Sequence, residues 1–352
     1  MAEHVDVAVA FRRLLGPARE PFEVSAIEPG VTSFTPQFAP SSRSLGQFIE
    51  RRFMDFGVVF EGSWTQSGKL AAWCAQRGVP SVPVIDRLPT ASWLAPIDGG
   101  REWLAFAGSG RYLRRAPVVV TSGEDLRSAI TQRWRVDADR ITVIAPPVDR
   151  ALFAPADQQE ARRRLGLAPD QLILVAGDGL GAGSDLGLLI EAVQRAGDPS
   201  LRLHVLGDGD RRMALERLAG PGGVVRFHGH VPDERVAEWI AAADLCVFVD
   251  EHGESAFTVR ECLAAGRPAV VMVPGHRTHS LVRHRATGFL VANDLVGWIR
   301  FLQAECPSRK ALRAMGLTAS QTPLQSLDQA AAAYLDVIHR VRTGASTPAA
   351  IA

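Results

Sequence analysis

The sequence contains little lysine, no paired cysteines and no long apolar run. Its lysines are Lys69 and Lys310 alone, so a bound phosphate would have to be held by arginine, histidine, backbone N–H groups or a helix terminus. The four cysteines are widely scattered, with no Cys-x-x-Cys pair and no histidine at ligand spacing. This arrangement argues against structural zinc and a disulfide framework, and it favours a reducing cytoplasm.

A membrane span requires about 18 consecutive apolar residues, and no stretch of the sequence approaches that length. The N-terminus carries negative charge early and lacks an apolar core with a cleavage site, so it does not predict a secretory signal. The formal net charge is +1, which gives a nucleic acid no bulk electrostatic attraction. We therefore expect a globular protein of the cytoplasm that has no nucleic-acid partner.

A chain of 352 residues with 47% hydrophobic and 22% charged residues is long enough for two ordinary domains. Short apolar, β-branched runs alternate with helical patterns, which indicates an α/β fold of parallel sheets wound with crossover helices. The predicted strands are Val58–Phe60, Val82–Ile85, Val118–Val120, Ile141–Ile144, Leu172–Val175, Leu201–Val205, Val224–Phe227, Leu245–Val249 and Ala269–Met272. The predicted helices are Gln66–Arg77, Ser122–Arg133, Asp185–Ala196, Arg211–Leu218, Pro232–Ala242, Val259–Ala265 and Leu327–Arg342.

Proline marks the predicted domain boundary. A double proline at 146–147, followed by Pro155, interrupts helix and strand alike. The resulting division is a first domain over 1–150, a second over 151–326, an amphipathic helix over 327–343 and a small, polar, flexible tail over 344–352.

Glycines are concentrated in one predicted turn between a strand and a helix. The strand that starts at Leu172 is followed, ahead of the next helix, by Gly177, Gly179, Gly181 and Gly183. Glycine lets backbone N–H groups approach a diphosphate, and a helix N-terminus adds a positive partial charge. The spacing fits neither a P-loop nor a clean dinucleotide fingerprint. The turn therefore indicates a nucleotide-binding α/β domain, or else a turn with a purely structural role.

Five further motifs follow this turn in order: Leu206–Arg212, Val225–Val236, Ala241–Val249, Arg260–Pro268 and Ala286–Val291. With them, the sequence resembles the retaining nucleotide-sugar glycosyltransferases of family 4, strongly over about 141–291 and weakly over about 57–122. The resemblance implies the GT-B fold, in which two Rossmann-like, doubly wound domains face each other across a cleft. It also implies that the terminal helix crosses back to the N-terminal domain.

The resemblance implies a donor site on the second domain, at the carboxyl ends of its strands. The glycine-rich turn and Ser184 would face the diphosphate of a nucleotide sugar. Glu261 would contact the ribose, because a carboxylate accepts two hydroxyl donors at once; the alternative is a helix glutamate favoured by the dipole. Further donor residues in this interpretation are Arg211, His228, Gly229, His230, Val231, Ser255, Ala256 and Phe257.

Three features depart from the family pattern. The arginine and lysine that family members usually carry in the glycine-rich turn fall at Gly179 and Ser184 here. The first glutamate of the family's pair falls at Gly253, one step from Glu254. The family's first strand and glycine-rich acceptor loop have no counterpart ahead of Val5–Leu15, which is predicted to be a helix.

Other basic residues are candidates to replace the missing cations. Arg211 and Arg212 stand at a predicted helix start, and residues 275–285 form an unusually basic segment. An imidazole or guanidinium in either place could stabilise a departing phosphate. The alternative is that both are solvated surface segments.

The catalytic candidates are Asp86 and Glu254. Asp86 follows a predicted strand where family members often carry histidine, and it could orient an acceptor hydroxyl or amine; an Asp-Arg ion pair is the alternative. Neither Glu254 nor Glu261 is given the acid or nucleophile role that carboxylates have in glycosidases. The candidates on the acceptor side are Glu61, Ser63, Trp64 and Arg87.

We therefore predict a hexosyltransferase-type glycosyltransferase that moves a sugar from a nucleotide-diphosphate donor to a small-molecule or lipid-linked acceptor, with retention at the anomeric carbon. No cofactor and no metal is expected, because backbone N–H groups, a helix terminus and arginine or histidine would hold the leaving diphosphate. The alternative is a catalytically impaired, glycosyltransferase-like protein that binds a nucleotide sugar or a partner subunit. The aromatic segment 93–115 is interpreted either as a peripheral membrane contact or as a packed connection.

Overall fold

The computed structural model describes residues 7–10, 22–28, 31–36, 58–62, 74–76, 78–86, 110–177, 180, 185–249, 256–273 and 278–344. The chain divides into two units. The first comprises Met1–Ile144 and Tyr334–Ala352, and the second comprises Ala145–Ala333.

The described strands of the first unit form two sheets. Its strands are β1 (Val7–Ala10), β2 (Phe22–Glu28), β3 (Val31–Pro36), β4 (Val59–Gly62), β5 (Ser81–Ile85), β6 (Val119–Thr121) and β7 (Ile141–Val143). One sheet has the order β1-β3-β2, with β1 parallel and β2 antiparallel to β3. The other runs β4-β5-β6-β7 and is parallel throughout, as the apolar, β-branched runs predict.

The N-terminal segment differs from its prediction. The helix predicted over Val5–Leu15 is wrong for the described part, because Val7–Ala10 is a strand. Its Val-Ala-Val-Ala alternation with β-branched valines suits a strand, and the pairing with β3 outweighs the helical pattern. The antiparallel pair of β2 and β3 is also additional to the predicted strands.

Helical residues in the described part of the first unit contribute apolar side chains to its core. The helix Glu124–Trp134 buries Leu126, Ile130 and Trp134. Residues 110–115 are helical, and Leu113 joins the same core as Ile130 and Trp134. Leu113, in the described end of the aromatic segment, is therefore part of this core, whereas Arg111, Arg114 and Arg115 are exposed. Residues 93–109 lie outside the described part.

The last helix, Leu327–Thr343, enters the first unit at Tyr334. The ring of Tyr334 packs edge-on against Phe60 of β4, with 5.4 Å between ring centroids. Farther along, Arg340 Nη2 donates to the hydroxyl of Thr142 in β7 at 2.7 Å. Across the described residues, no helix combines the length and the apolar character that crossing a bilayer would require.

The described strands of the second unit are β8 (Leu172–Gly177), β9 (Leu201–Leu206), β10 (Val225–Phe227), β11 (Leu245–Phe248), β12 (Ala269–Val273) and β13 (Gly288–Ala292). They form a sheet of order β10-β9-β8-β11-β12-β13 in which every pairing is parallel. Counted from β8, this order is 3-2-1-4-5-6, which is the doubly wound order of dinucleotide-binding Rossmann folds.

Side chains of β8 enter a core on each face of this sheet. Leu174 packs in one core with Ile190, and Val175 packs in the other with Ile240. The covering helices are Gln158–Leu165, Leu186–Ala196, Arg212–Ala219, Asp233–Ala242, Ala256–Ala264, Leu295–Arg300 and Arg309–Ser320. Short 3₁₀ or π turns elsewhere in the described chain are Ala138–Arg140, Thr278–Leu281 and Phe301–Glu305. Within the described part of the second unit, the elements beyond those predicted are β13 and the helices at 158–165, 295–300 and 309–320.

A buried ion pair joins the helix Gln158–Leu165 to the starts of β8 and β11. Arg162 and Asp244 are each 1% exposed, and Nη2 lies 2.6 Å from Oδ2. The same carboxylate oxygen accepts the backbone N–H of Ile173 at 2.8 Å, and Oδ1 accepts from Gln158 Nε2 at 3.3 Å. The remaining guanidinium groups donate to the carbonyls of Pro169, Gln171 and Ala242.

Replacement of Asp244 by asparagine is expected to lower the free energy of unfolding of this unit by about 3–5 kcal/mol, because Arg162 would keep a buried charge without its counter-ion. Urea denaturation measures the change. The matched control is Asp170→Asn at an exposed carboxylate, which should change the free energy by less than about 0.5 kcal/mol. Equal denaturation midpoints for the two variants would show that the ion pair does not stabilise the fold.

Candidate functional site

The order of the six-stranded sheet reverses between β8 and β11. At such a point the loops that follow the two strands diverge, and the crevice between them is where open α/β sheets bind ligands. The glycine-rich turn begins here, since Gly177 is the last residue of β8. The structure thus brings the first glycine of the predicted site to the switch point. The other predicted turn residues, Gly179, Gly181, Gly183 and Ser184, lie outside the described part.

Leu180, within this turn, has a strained backbone. Its φ of 42° lies in the left-handed region, which costs a residue with a side chain about 1–2 kcal/mol. Two contacts hold it there: its side chain is fully buried, and its carbonyl accepts the backbone N–H of Arg211 at 3.3 Å. Strain held in place by its surroundings is frequent at ligand-binding sites.

Backbone hydrogen bonds tie neighbouring strand ends together around the turn. The N–H of Asp185 donates to the carbonyl of Val249, just past β11, at 2.8 Å. The N–H of Gly207, just past β9, donates to the carbonyl of Gly229, beyond β10, at 2.8 Å. The loops that border the crevice are therefore connected to one another as well as to their own strands.

Gly229 needs its lack of a side chain. Its φ is 69°, and a Cβ atom would come within 2.9 Å of Nη1 of Arg212. That guanidinium lies 2.9 Å from Oδ2 of Asp208 and 2.8 Å from Oε1 of Glu216, and the hydrogen bond to Glu216, followed by that to Asp208, raises the pKa of Arg212. The Arg212 guanidinium is therefore engaged by the carboxylates of Asp208 and Glu216. Arg211 contacts the glycine-rich turn through its backbone N–H, which donates to the carbonyl of Leu180.

The ring of His228 is directed inward. Its Nε2 lies 2.9 Å from Nδ1 of His204, and its centroid is 4.3 Å from that of Trp239. Burial, helped by the nearby His228, lowers the pKa of His204 to about 3, and burial followed by Arg226 lowers that of His228. Two neutral imidazoles thus share this hydrogen bond, and the exposed residue of the predicted base-facing segment is His230.

Glu261 lies in the helix Ala256–Ala264, between β11 and β12. Burial, with a smaller contribution from Asp233, raises the pKa of its carboxyl group to about 7. A carboxyl group with a pKa this far above its usual value, near a crevice, is typical of functional sites. Two other predicted donor residues, Ala256 and Phe257, begin the same helix, and Glu254 and Ser255 lie outside the described residues.

The predicted catalytic and acceptor-side residues belong to the first unit, apart from Glu254. Glu61 is in β4 and Asp86 follows β5, so both stand toward the carboxyl ends of adjacent parallel strands. Asp86 is exposed, and its carbonyl accepts the hydroxyl of Ser122 at 3.2 Å. The others, Ser63, Trp64 and Arg87, fall outside the described part of the chain.

Asp185 and Asn293, which contact each other beside the glycine-rich turn, are absent from the sequence-based site. Asn293 follows β13, and its side-chain Nδ2 donates to Oδ2 of Asp185 at 2.6 Å. A polar residue directly after a buried parallel strand is the signal that could have identified Asn293.

In the part of the chain that the structure describes, no three His, Cys, Asp or Glu side chains are grouped so as to hold a metal ion.

The sequence matches known glycosyltransferases. A family model described as "Glycosyl transferases group 1" matches residues 171–302. The D-inositol 3-phosphate glycosyltransferase of Xylanimonas cellulosilytica is 33% identical over 307 residues, which are 80% of this chain and 71% of that protein. The corresponding protein of a Nocardioides species is 29% identical over 315 residues, which are 82% of this chain and 68% of that protein.

Solved structures share the fold. Sucrose-phosphate synthase from Thermosynechococcus elongatus aligns with a TM-score of 0.78 at 18% identity, over 97% of this chain and 90% of that one. Anabaena HepE, solved in complex with UDP-glucose, aligns with a TM-score of 0.69 at 17% identity, over 87% of this chain and 85% of that one. These likenesses confirm the predicted α/β, GT-B fold class. Together with the sequence matches, they lead to one conclusion: the chain belongs to the group 1 glycosyltransferases, the family 4 enzymes that its motifs resemble.

Proposed function

We propose that the crevice at the carboxyl ends of β8 and β11 binds a nucleotide-diphosphate sugar, and that the protein transfers the sugar to an acceptor hydroxyl with retention at the anomeric carbon. The observation that carries this proposal is the placement of the glycine-rich turn. It starts at the end of a central strand, where the order of a fully parallel sheet reverses, and it leads into the helix Leu186–Ala196. A strand-to-helix turn at such a place is where α/β folds commonly bind phosphate groups.

In this proposal, three groups of residues bind different parts of the donor. Glu261 accepts hydrogen bonds from the ribose hydroxyls. The segment His228–Val231 meets the base, chiefly through its backbone and His230, because the ring of His228 is engaged with His204. The diphosphate and the sugar meet the remaining donor candidates, which are Gly177, Gly179, Gly181, Gly183, Ser184, Arg211, Ser255, Ala256 and Phe257.

Breaking the bond between the sugar and the diphosphate places additional negative charge on the leaving phosphate. Backbone N–H groups and the start of a helix, fixed before the reaction, stabilise that charge. The acceptor oxygen bonds to the anomeric carbon on the face that the leaving group departs, and its hydroxyl proton passes to the leaving phosphate. Retention therefore needs no covalent carboxylate intermediate. In this mechanism Asp86 orients the acceptor, and Glu254 is the second catalytic candidate. The residues that contact the acceptor are Glu61, Ser63, Trp64 and Arg87. No metal is required.

The relatives support a particular class of substrate. The two relatives described above are named D-inositol 3-phosphate glycosyltransferases, and this name favours a small polyhydroxy acceptor over a lipid-linked one. HepE was solved with UDP-glucose, and in other structures with UDP, which favours a nucleoside-diphosphate hexose as the donor.

Calorimetric titration with a panel of nucleoside diphosphates tests donor binding directly. We expect one base to bind selectively, and the corresponding nucleotide sugar to be hydrolysed slowly without an acceptor. Adding candidate polyols should accelerate release of the nucleoside diphosphate, and NMR should show the donor's anomeric configuration in the product. Binding without any turnover would favour the catalytically impaired alternative. No binding to any nucleotide would rule the proposal out and leave an interaction protein.

Substitution of Glu261 by alanine should weaken nucleotide binding by roughly 1–3 kcal/mol, through loss of charged hydrogen bonds to the ribose. Binding favours the ionised carboxylate, whose pKa is about 7 in the free protein. Wild-type affinity should therefore be constant well above pH 7 and fall by up to about tenfold per pH unit below it. The Glu261→Gln variant should lack this dependence.

Asp233 provides the control for the pH profile, because its charge contributes to the raised pKa of Glu261. Asp233→Asn should move the inflection to lower pH while leaving the high-pH affinity unchanged. Glu234→Gln, at the exposed next position, should move nothing. A wild-type profile that is flat between pH 5 and 8 would mean that the ribose lies elsewhere.

A further inference from the structure

A polar side chain lies within the buried, otherwise apolar stretch Leu203–Leu206 of β9. His204 is 2% exposed, and burying an imidazole costs free energy unless its nitrogens form hydrogen bonds. Its Nε2 is buried and has no hydrogen-bond partner among the described residues. A leucine at this position would avoid that cost, so the reason for a histidine lies in the bond made by its other nitrogen, Nδ1.

Nδ1 of His204 contacts the ring of His228, which directly follows β10. The distance to Nε2 of His228 is 2.9 Å, and the ring planes lie within 20° of parallel, with centroids 5.2 Å apart. The backbone N–H of His228 also donates to the carbonyl of Val205, at 2.9 Å. β9 therefore holds the first residue of the predicted base-facing segment by its main chain and by its side chain.

Trp239, in the helix Asp233–Ala242, covers both imidazoles. Its ring centroid lies 4.7 Å from that of His204 and 4.3 Å from that of His228. Burial lowers the pKa of each imidazole, and positively charged arginines nearby lower it further. Both rings therefore stay neutral, so that one of the two facing nitrogens donates and the other accepts.

The chain turns directly after His228. Gly229 has a φ of 69°, and its carbonyl accepts the backbone N–H of Gly207 at 2.8 Å. Val231, at the other end of the segment, packs against the core that contains Trp239. The segment His228–Val231 is thus fixed at both ends, and its first side chain is held by the hydrogen bond from His204.

We propose that His204 is a positioning residue for base recognition: through its bond to the ring of His228 it fixes the segment His228–Val231, which meets the base of the donor. This inference rests on the proposed function. It implies that His204 affects the selectivity among bases and leaves the affinity for the diphosphate group unchanged.

Calorimetric titration with the diphosphates of a panel of nucleosides, and with inorganic pyrophosphate, tests this role. His204→Leu fills the site with an apolar side chain and removes the bond to His228. Its affinity for the diphosphate of the selected nucleoside should fall by roughly five- to tenfold, the equivalent of one hydrogen bond. Its affinities for pyrophosphate and for the other nucleoside diphosphates should stay nearly unchanged, so the selectivity among bases should shrink.

His204→Asn separates positioning from packing. An asparagine amide can donate or accept at about the place of Nδ1, so this variant should keep the base selectivity of the wild type. Because it buries more polar surface than leucine, thermal denaturation should show that His204→Asn unfolds at a lower temperature than His204→Leu. Selectivity and stability should therefore rank the two variants in opposite orders, whereas a merely structural role would rank them in the same order.

His284→Leu is the matched control. Nδ1 of His284 accepts the backbone N–H of Leu290 at 3.0 Å, and its ring contacts Phe289 edge-on. Like His204, it therefore has one hydrogen bond and one aromatic contact. It precedes β13, at the amino end of that strand, whereas the base-facing segment follows the carboxyl end of β10. The base selectivity of His284→Leu should equal that of the wild type.

Three results would overturn the inference while the proposed function stands. They are wild-type binding without a preference among bases, wild-type selectivity in His204→Leu, or equal losses for pyrophosphate and the selected diphosphate in that variant. A wild-type protein that binds no nucleotide would instead remove the proposed function, and the inference with it.

Discussion

The arrangement of the second unit depends on the buried ion pair between Asp244 and Arg162. The Asp244 carboxylate receives Arg162 and the backbone N–H of Ile173, so it joins the amino ends of β8 and β11, the strands between which the sheet order reverses. The attraction within a buried ion pair offsets the free-energy cost of desolvating its charges only when its remaining donors and acceptors also form hydrogen bonds. Here the backbone carbonyls around the guanidinium satisfy them.

Because β8 and β11 are fixed at their amino ends, the loops at their carboxyl ends can depart from regular structure. The two strands are parallel, so their carboxyl ends lie together, and their following loops separate into the crevice. Leu180 keeps its left-handed backbone because its side chain is buried, and Gly229 keeps its close approach to Arg212 because it has no Cβ. A rigid sheet thus supports strained loops at the carboxyl ends of its strands, as is usual where a scaffold carries a ligand site.

The sequence predicts those parts of the fold that depend on local pattern. The β-branched runs that become β8, β9 and β11 are recognisable without any knowledge of their neighbours. Val7–Ala10 has an alternation that is compatible with strand or helix, and only its pairing with β3 decides between them. Among the site residues, the glycines and Glu261 are identifiable from the motifs and their order. The inward ring of His228, the two carboxylates beside Arg212 and the bond between Asn293 and Asp185 depend on tertiary contacts, which no single stretch of sequence contains.

These observations together support the crevice after β8 and β11 as the donor site of this group 1 glycosyltransferase. A crystal structure of the protein with a bound nucleoside diphosphate tests it most directly. We expect density for the diphosphate along the turn that begins at Gly177, with the ribose hydroxyls on the carboxylate of Glu261. Density for the nucleotide at any other place, with this crevice empty, would contradict it.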